Sequence, residues 1–159
     1  MKQKKSDTPQ DAYYKAERYC ALQERCIAEV RTKFYEWEVA AAEGEKIIEE
    51  LLKEDFINEE RFATVFARGK FRIKKWGKIK IKYALGHFNI PSPYINNALK
   101  EINNSDYKRA LEKIITDKSK MVKAASPALK KKKLLQYALS KGYESELVWE
   151  VLGFISSKA

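Results

Sequence analysis

The sequence has few of the residues that build turns, disulfides and metal sites. Its 159 residues include six glycines, four prolines, two cysteines and one histidine. So few glycines and prolines favour long helices over a turn-rich β fold. Cys20 and Cys26 lack the second cysteine pair or histidine cluster of a zinc site, so we expect two small helix residues. His87 has no visible partner group for catalysis or metal binding, and we expect it half-exposed at a helix end.

Long hydrophobic runs and catalytic motifs are also missing. No stretch approaches the about 18–20 apolar residues that a membrane helix requires. The first ten residues are polar and lack the apolar core of a signal peptide. There is no phosphate-binding glycine loop, no nucleophile beside a base and no pair of carboxylates in contrasting environments. We therefore expect a cytoplasmic, non-enzymatic protein with no cofactor, no metal and no membrane partner.

Aromatic residues and positive charge are abundant. Nine Tyr, seven Phe and three Trp supply enough large side chains for a core, within one domain or a few small repeats. The formal net charge is +10. This balance favours an anionic partner, although basic ribosomal and membrane-surface proteins share it.

The charges are segregated along the chain. Between Glu36 and Glu60 there are ten acids and two bases, whereas Arg68–Lys82 and Lys118–Lys141 each contain eight bases and no acid. A solvated helix face usually mixes the two signs. The basic runs therefore predict contact with phosphates, the alternative being a merely soluble surface. The acidic block either steers a basic protein surface or pairs internally with the basic runs.

Apolar spacing predicts three helices in the first third of the chain. Thr8 followed by Pro9 is typical of a helix start. We expect helices over residues 9–24, 25–37 and 44–54. Their expected buried residues are Tyr13, Ala16, Tyr19, Cys20 and Leu22, then Ile27, Val30 and Phe34, then Ile47, Ile48, Leu51 and Leu52.

The stretch from residue 55 to residue 90 carries the clearest helix signals. Asn58 is the expected N-cap, and Glu59 and Glu60 follow at the positive end of the helix dipole. One apolar stripe is predicted to comprise Phe62, Val65, Phe66 and Ile73. Gly77 is expected to break this helix, and the next helix is predicted to bury Ile81, Leu85 and Phe88.

The three-helix pattern recurs along the chain. Ile48, Leu51 and Leu52 match Ile95, Ala98 and Leu99, and then Val148, Val151 and Leu152. In the last unit we expect one apolar stripe of Tyr107, Ala110, Leu111, Ile114 and Ile115. A basic linker over 118–125 is expected to follow. The next helix is expected to start at Ser126-Pro127 and to bury Leu134, Tyr137 and Ala138. The predicted fold is all-α, with three tandem three-helix repeats stacked into an elongated, curved body. A polar tail at 1–8 precedes repeats at 9–55, 56–103 and 104–156.

The central stretch resembles the signature of the RecX regulatory proteins, which modulate the RecA recombinase. The resemblance rests first on Phe56, Ile57, Asn58, Glu59, Arg61 and Phe62, and then on Gly77, Ile81, Leu85 and Ile90. Two glycines of that pattern are replaced by Asp55 and Asn89, which are the non-glycine residues that best tolerate a left-handed backbone. The segments at 29–34 and 134–152 also resemble the first and last repeats of that family.

The resemblance implies a protein that lies in the groove of the RecA–DNA filament, contacts mainly single-stranded DNA there, and restrains the recombinase, either by inhibition or with a balanced effect. We expect a monomer. The predicted anionic contacts are Arg68, Lys70, Arg72, Lys74, Lys75, Lys78, Lys80 and Lys82, with Lys130, Lys131, Lys132 and Lys133 as a second set. Arg61 has two alternative roles: it either pairs with Glu54 or Asp55 or reaches a partner.

Two other functions fit the same sequence. One is a general DNA-binding module that uses a helix pair on either side of Gly77. The other is a protein adaptor that binds through the acidic block. Aromatic residues near the first basic run either stack on bases or, as we favour, pack between helices: Phe71, Trp76 and Tyr83.

Overall fold

The computed structural model describes residues 8–157, and this part of the chain contains nine α-helices and no strand. The helices are α1 (Pro9–Leu22), α2 (Ile27–Glu36), α3 (Ala41–Lys53), α4 (Glu59–Lys74), α5 (Lys78–His87), α6 (Ser92–Lys100), α7 (Asn104–Ser119), α8 (Pro127–Ser140) and α9 (Ser145–Ser157). The predicted all-α class is therefore confirmed.

The helices pack in three successive groups, α1–α3, α4–α6 and α7–α9. The first group has a core of its own, which includes Val30, Phe34 and Leu51. The second and third groups share one continuous core. The repeat bounds at 9–55, 56–103 and 104–156 stay a prediction, and the tail lies outside the described residues except for Thr8.

Local capping sets the starts and ends of the helices. Asn58 Oδ1 accepts a hydrogen bond from the Arg61 backbone N–H at 2.9 Å, as the sequence predicts. Thr8 forms a capping box with Asp11 at the start of α1. Asp55 and Asn89 adopt left-handed φ angles of 62° and 56°. Both residues tolerate this conformation better than other non-glycine residues, so their replacement of glycine preserves the chain reversals.

Replacing Asn58 with alanine is expected to lower the free energy of unfolding by about 1 kcal/mol, because a first-turn amide of α4 loses its acceptor. Thermal unfolding followed by circular dichroism should show a midpoint lower by about 2–4 °C. Asn58→Ser is the matched control, since its hydroxyl can still cap the helix. An equal loss in both variants would contradict a capping role.

The predicted apolar stripe of α4 is wrong at two positions. Val65 is 46% exposed and Ile73 is 79% exposed. Besides Phe62, the buried residues of α4 are Ala63 and Ala67. Small side chains let α4 and α6 approach closely, which turns the buried face towards the alanines.

Other expectations in the first group also need correction. Leu22 is 76% exposed because α1 ends there, and Leu52 is 41% exposed. The third helix begins at Ala41 instead of Gly44. Cys26 is the residue before α2 and not part of a helix. Both cysteines are buried and free, and burial raises the pKa of Cys20 to about 11 and that of Cys26 to about 12.

Candidate nucleic-acid interface

The loop between α4 and α5 is hydrogen-bonded to the loop between α8 and α9. The Gly77 N–H donates to the Lys141 carbonyl at 2.7 Å, and the Ile79 N–H donates to the Gly142 carbonyl at 3.0 Å. The Tyr143 hydroxyl donates to the Lys75 carbonyl at 3.0 Å. These bonds bring the middle of the first basic run against the end of the second.

Gly77 allows two loops to approach each other closely. It does not end α4, and its predicted role as a helix breaker is therefore wrong. The residue that ends α4 is Lys75, with a left-handed φ of 58°. Gly77 itself has a φ of −76°, which any residue can adopt. A Cβ at Gly77 would overlap the backbone of Gly142 and Tyr143. Gly142 has a φ of 95° and lies equally close to Lys80. The two glycines therefore define how closely the second and third helix groups meet.

A buried tyrosine links the same two groups. The Tyr107 hydroxyl donates to the Glu144 carboxylate at 2.9 Å and accepts a hydrogen bond from the Lys78 N–H at 3.0 Å. Burial is the main cause that raises the pKa of Tyr107, and the negative charge of Glu144 adds to it. Sequence reasoning missed this pair because its members lie 37 residues apart with no local signal.

The first set of predicted contact residues spans the end of α4 and the start of α5. Arg68 lies 3.7 Å from Glu101, and this is the only salt bridge that the set makes within residues 8–157. Arg72, Lys74 and Lys82 are exposed, while Lys75 is half-buried. The three remaining side chains, Lys70, Lys78 and Lys80, lie over aromatic rings. Their positive charges are thus available to an external anion.

The second predicted set is separate from the first. Lys130, Lys131, Lys132 and Lys133 lie near the start of α8, about 12–17 Å along the helix from Lys141. The Lys131 ammonium lies 5.4 Å from the centre of the Trp149 ring, and Lys133 donates to the Lys123 carbonyl. The residue of the second run that contacts the first run is Lys141. Lys141 was not among the contact residues predicted from the sequence.

The acidic block does not neutralise the basic runs. In the described part of the chain, its ion pairs join Glu36 to Lys33, Glu43 to Lys46, Glu45 to Arg31 and Asp55 to Arg61. None of these bases belongs to either run. Residues 9–57 contain 12 acids and seven bases, whereas residues 58–157 contain nine acids and 21 bases. The molecule therefore has an acidic end and a basic body.

Arg61 forms ion pairs within the protein, which is one of the two alternatives that the sequence left open. It contacts Asp55 at 3.0 Å and Glu24 at 2.6 Å. Its hydrogen bonds to these carboxylates raise the pKa of the guanidinium, with Glu24 contributing most. This residue therefore ties the first helix group to the second and is not free for a partner.

The aromatic residues near the first run take three different positions. Phe71 packs against Tyr107, with ring centres 5.9 Å apart. Trp76 lies beneath the ammoniums of Lys70 and Lys80. Tyr83 is 71% exposed and meets His87 edge-on at the end of α5. Two of the three therefore pack within the protein, as the sequence favoured.

Two kinds of site find no support in residues 8–157. No group of three His, Cys, Asp or Glu side chains could hold a metal ion. No helix in this range combines the length and apolar character needed to cross a bilayer.

The described chain is thus an all-α protein of successive three-helix groups with a basic surface where the second group meets the third. Residues 58–99 match the family model for the second three-helix domain of RecX. The chain belongs to the RecX family.

Relatives and solved structures agree with this assignment. The chain is 36% identical to Regulatory protein RecX of Clostridium acetobutylicum over 82% of its own length and 62% of that protein. It is 31% identical to Regulatory protein RecX of Clostridium beijerinckii over 78% of the chain and 58% of that protein. The chain thus spans less than two thirds of the length of these relatives.

Two crystal structures have the same fold. RecX from Lactobacillus salivarius superposes with a TM-score of 0.82, at 20% identity, over 93% of this chain and 96% of that one. A second structure of regulatory protein RecX gives a TM-score of 0.80 at 18% identity, over 90% of this chain and 72% of that one. At these identities the superpositions establish the fold alone.

Proposed function

We propose that this protein binds the RecA–DNA filament and inhibits the recombinase, in recombination and DNA repair and within the SOS response. It acts in the cytoplasm as a monomer, without enzymatic activity and without a cofactor. Family membership supports the recombinase as partner. The basic surface supports contact with the DNA of the filament.

One observation carries the proposal. Of the 16 bases in the two runs, only Arg68 has a carboxylate within ion-pair distance in the described residues. Unpaired lysines and arginines on one body displace the counterions condensed on DNA, which gives affinity without sequence preference. The proposed contacts remain Arg68, Lys70, Arg72, Lys74, Lys75, Lys78, Lys80 and Lys82, together with Lys130, Lys131, Lys132 and Lys133.

The acidic helix group α1–α3 is suited to contact with a protein subunit of the proposed filament and not with its DNA. Phosphates would repel the exposed carboxylates of α3, such as Glu49 and Glu50. A basic patch on a protein subunit would attract them. We therefore assign α1–α3 to a recombinase subunit and α4–α9 to the DNA.

The general DNA-binding alternative has weaker support. The exposed face of α5 carries Ile79, Lys82 and Tyr83. Arg, Asn and Gln, which read base edges in the major groove, do not occur in this helix.

Adding the protein to recombinase filaments on single-stranded DNA should slow ATP hydrolysis and shorten the filaments at stoichiometric amounts. The reason is that a basic body bound along the groove restrains the filament. ATP hydrolysis is measured by a coupled assay, and filament length by electron microscopy. Unchanged hydrolysis and length at equimolar protein would reject the proposal.

A further inference from the structure

One indole ring holds two lysines of the first basic run. The Lys70 ammonium lies 4.9 Å from the centre of the Trp76 ring, and the Lys80 ammonium lies 4.8 Å from it. Two groups at these distances from one point lie within about 10 Å of each other. The attraction of the ring for a cation restricts both side chains, which are otherwise among the most flexible in proteins.

A second aromatic ring holds two lysines of the second run. The Lys118 ammonium lies 4.8 Å from the centre of the Tyr137 ring, and the Lys141 ammonium lies 5.9 Å from it. Lys118 comes from the last turn of α7, and Lys141 follows α8. The same arrangement of a ring and two lysines thus occurs in both of the groups that meet at the junction.

The two arrangements are adjacent. The Lys141 carbonyl accepts the hydrogen bond from Gly77, which follows Trp76 directly. Gly142 is so close to Lys80 that a side chain at position 142 would overlap the Lys80 Cβ. The segment that follows Trp76 and the loop that contains Lys141 therefore lie against each other, which places the two ring arrangements on neighbouring segments.

None of these four lysines is neutralised within residues 8–157. Salt bridges in this range involve other bases, among them Lys33, Lys46, Lys108 and Lys113. Of the described carboxylates, none lies within ion-pair distance of Lys70, Lys80, Lys118 or Lys141. Four ordered ammoniums without counter-charges form a site for a ligand with several negative charges at intervals.

We propose that these four lysines, ordered by Trp76 and Tyr137, form a cation–aromatic track that binds the phosphodiester backbone of a nucleic-acid strand. The inference deepens the proposed function, because it rests on the basic body facing DNA. The lysines contact the phosphates, and the two rings are positioning residues. Because ammoniums already lie over both rings, the track recognises phosphates and not bases. Ordering before binding reduces the side-chain entropy lost on association.

The charge test uses the full chain without recombinase. Affinity for a fluorescently labelled single-stranded oligonucleotide is measured by anisotropy at low salt. Changing Lys80→Gln together with Lys141→Gln is expected to weaken binding by at least about tenfold. The control, Lys100→Gln with Lys113→Gln, removes the same charge at two exposed positions outside both basic runs and is expected to weaken binding by less than about threefold. Equal effects in the two double variants would overturn the track.

The ring test leaves every charge in place. Trp76→Leu and Tyr137→Leu are each expected to weaken binding by about fivefold, because the lysines lose their order. Each variant is checked for an unchanged helical spectrum, and either one suffices if the other fails to fold. If a correctly folded variant binds the oligonucleotide as tightly as the wild-type protein, the positioning role of the ring that it lacks is overturned.

The ligand test separates phosphates from bases and from acidic protein. A strand of abasic sites with the same number of phosphates should bind as tightly as the normal strand, within about twofold. An acidic peptide of equal charge should compete less well. Binding that requires bases, preference for the peptide, or no binding of the strand by the free protein would overturn the track. Failure of the filament assay with intact strand binding would instead overturn the proposed function and leave the track standing.

Discussion

Replacing Gly77 with alanine is expected to lower the free energy of unfolding by about 4 kcal/mol. The new methyl group would overlap the backbone of Gly142 and Tyr143, which cannot move aside as a flexible side chain can. The loops must separate, which breaks the hydrogen bonds from Gly77 to Lys141 and from Ile79 to Gly142. Thermal unfolding should show a midpoint lower by about 10 °C.

Two other glycines provide matched controls for this substitution. Gly69 lies inside α4 and Gly86 inside α5, and an added Cβ at either position has no neighbour within 4 Å. Alanine in a helix is more stable than glycine by roughly 0.5–1 kcal/mol, so Gly69→Ala and Gly86→Ala should leave stability unchanged or raise it. A Gly77→Ala midpoint within the range of these controls would contradict the close approach of the loops.

Changing Lys74, Lys75, Lys78 and Lys80 together to alanine is expected to weaken single-strand binding by roughly a hundredfold at about 50 mM salt. Each lost phosphate contact also removes about 0.7 from the slope of log affinity against log salt concentration. The slope should therefore flatten by about 2 to 3. Titrations of the oligonucleotide at several salt concentrations measure both quantities.

The control for the lysine change removes the same number of charges elsewhere. Lys33, Lys46, Lys108 and Lys113 each lie within 4.0 Å of a carboxylate and belong to neither basic run. Their joint replacement by alanine lowers the net charge equally, so it tests attraction by overall charge. We expect less than about threefold loss of affinity. Parallel losses in the two quadruple variants would mean that net charge, and not the runs, governs binding.

The all-α class and most helix ends follow from local sequence. A cap such as Asn58 bonds to an amide three residues away, so its effect is visible in a short window. The left-handed residues Asp55 and Asn89 act over equally short distances. The recurrence of apolar triplets likewise predicted the buried Val148, Val151 and Leu152 of α9. The segregation of charge is fixed by the order of residues alone.

The buried face of α4 did not follow from the sequence. Hydrophobicity favours Val65 and Ile73 as core residues, yet α4 buries Ala63 and Ala67. Which side of a helix is covered depends on the neighbour that packs against it, which for α4 is mainly α6. Apolar spacing identifies a helix but not the partner that covers it.

By itself, the sequence determined that this protein is helical, strongly basic in its last two thirds and acidic near its start, because these properties depend on residue type and short-range spacing. Only the tertiary structure decided that Gly142 lies against Lys80, that Tyr107 bonds to Glu144, and that Arg61 is held by Glu24. Each of these contacts joins positions more than 35 residues apart. Such contacts depend on the packing of whole helix groups, which no local pattern encodes.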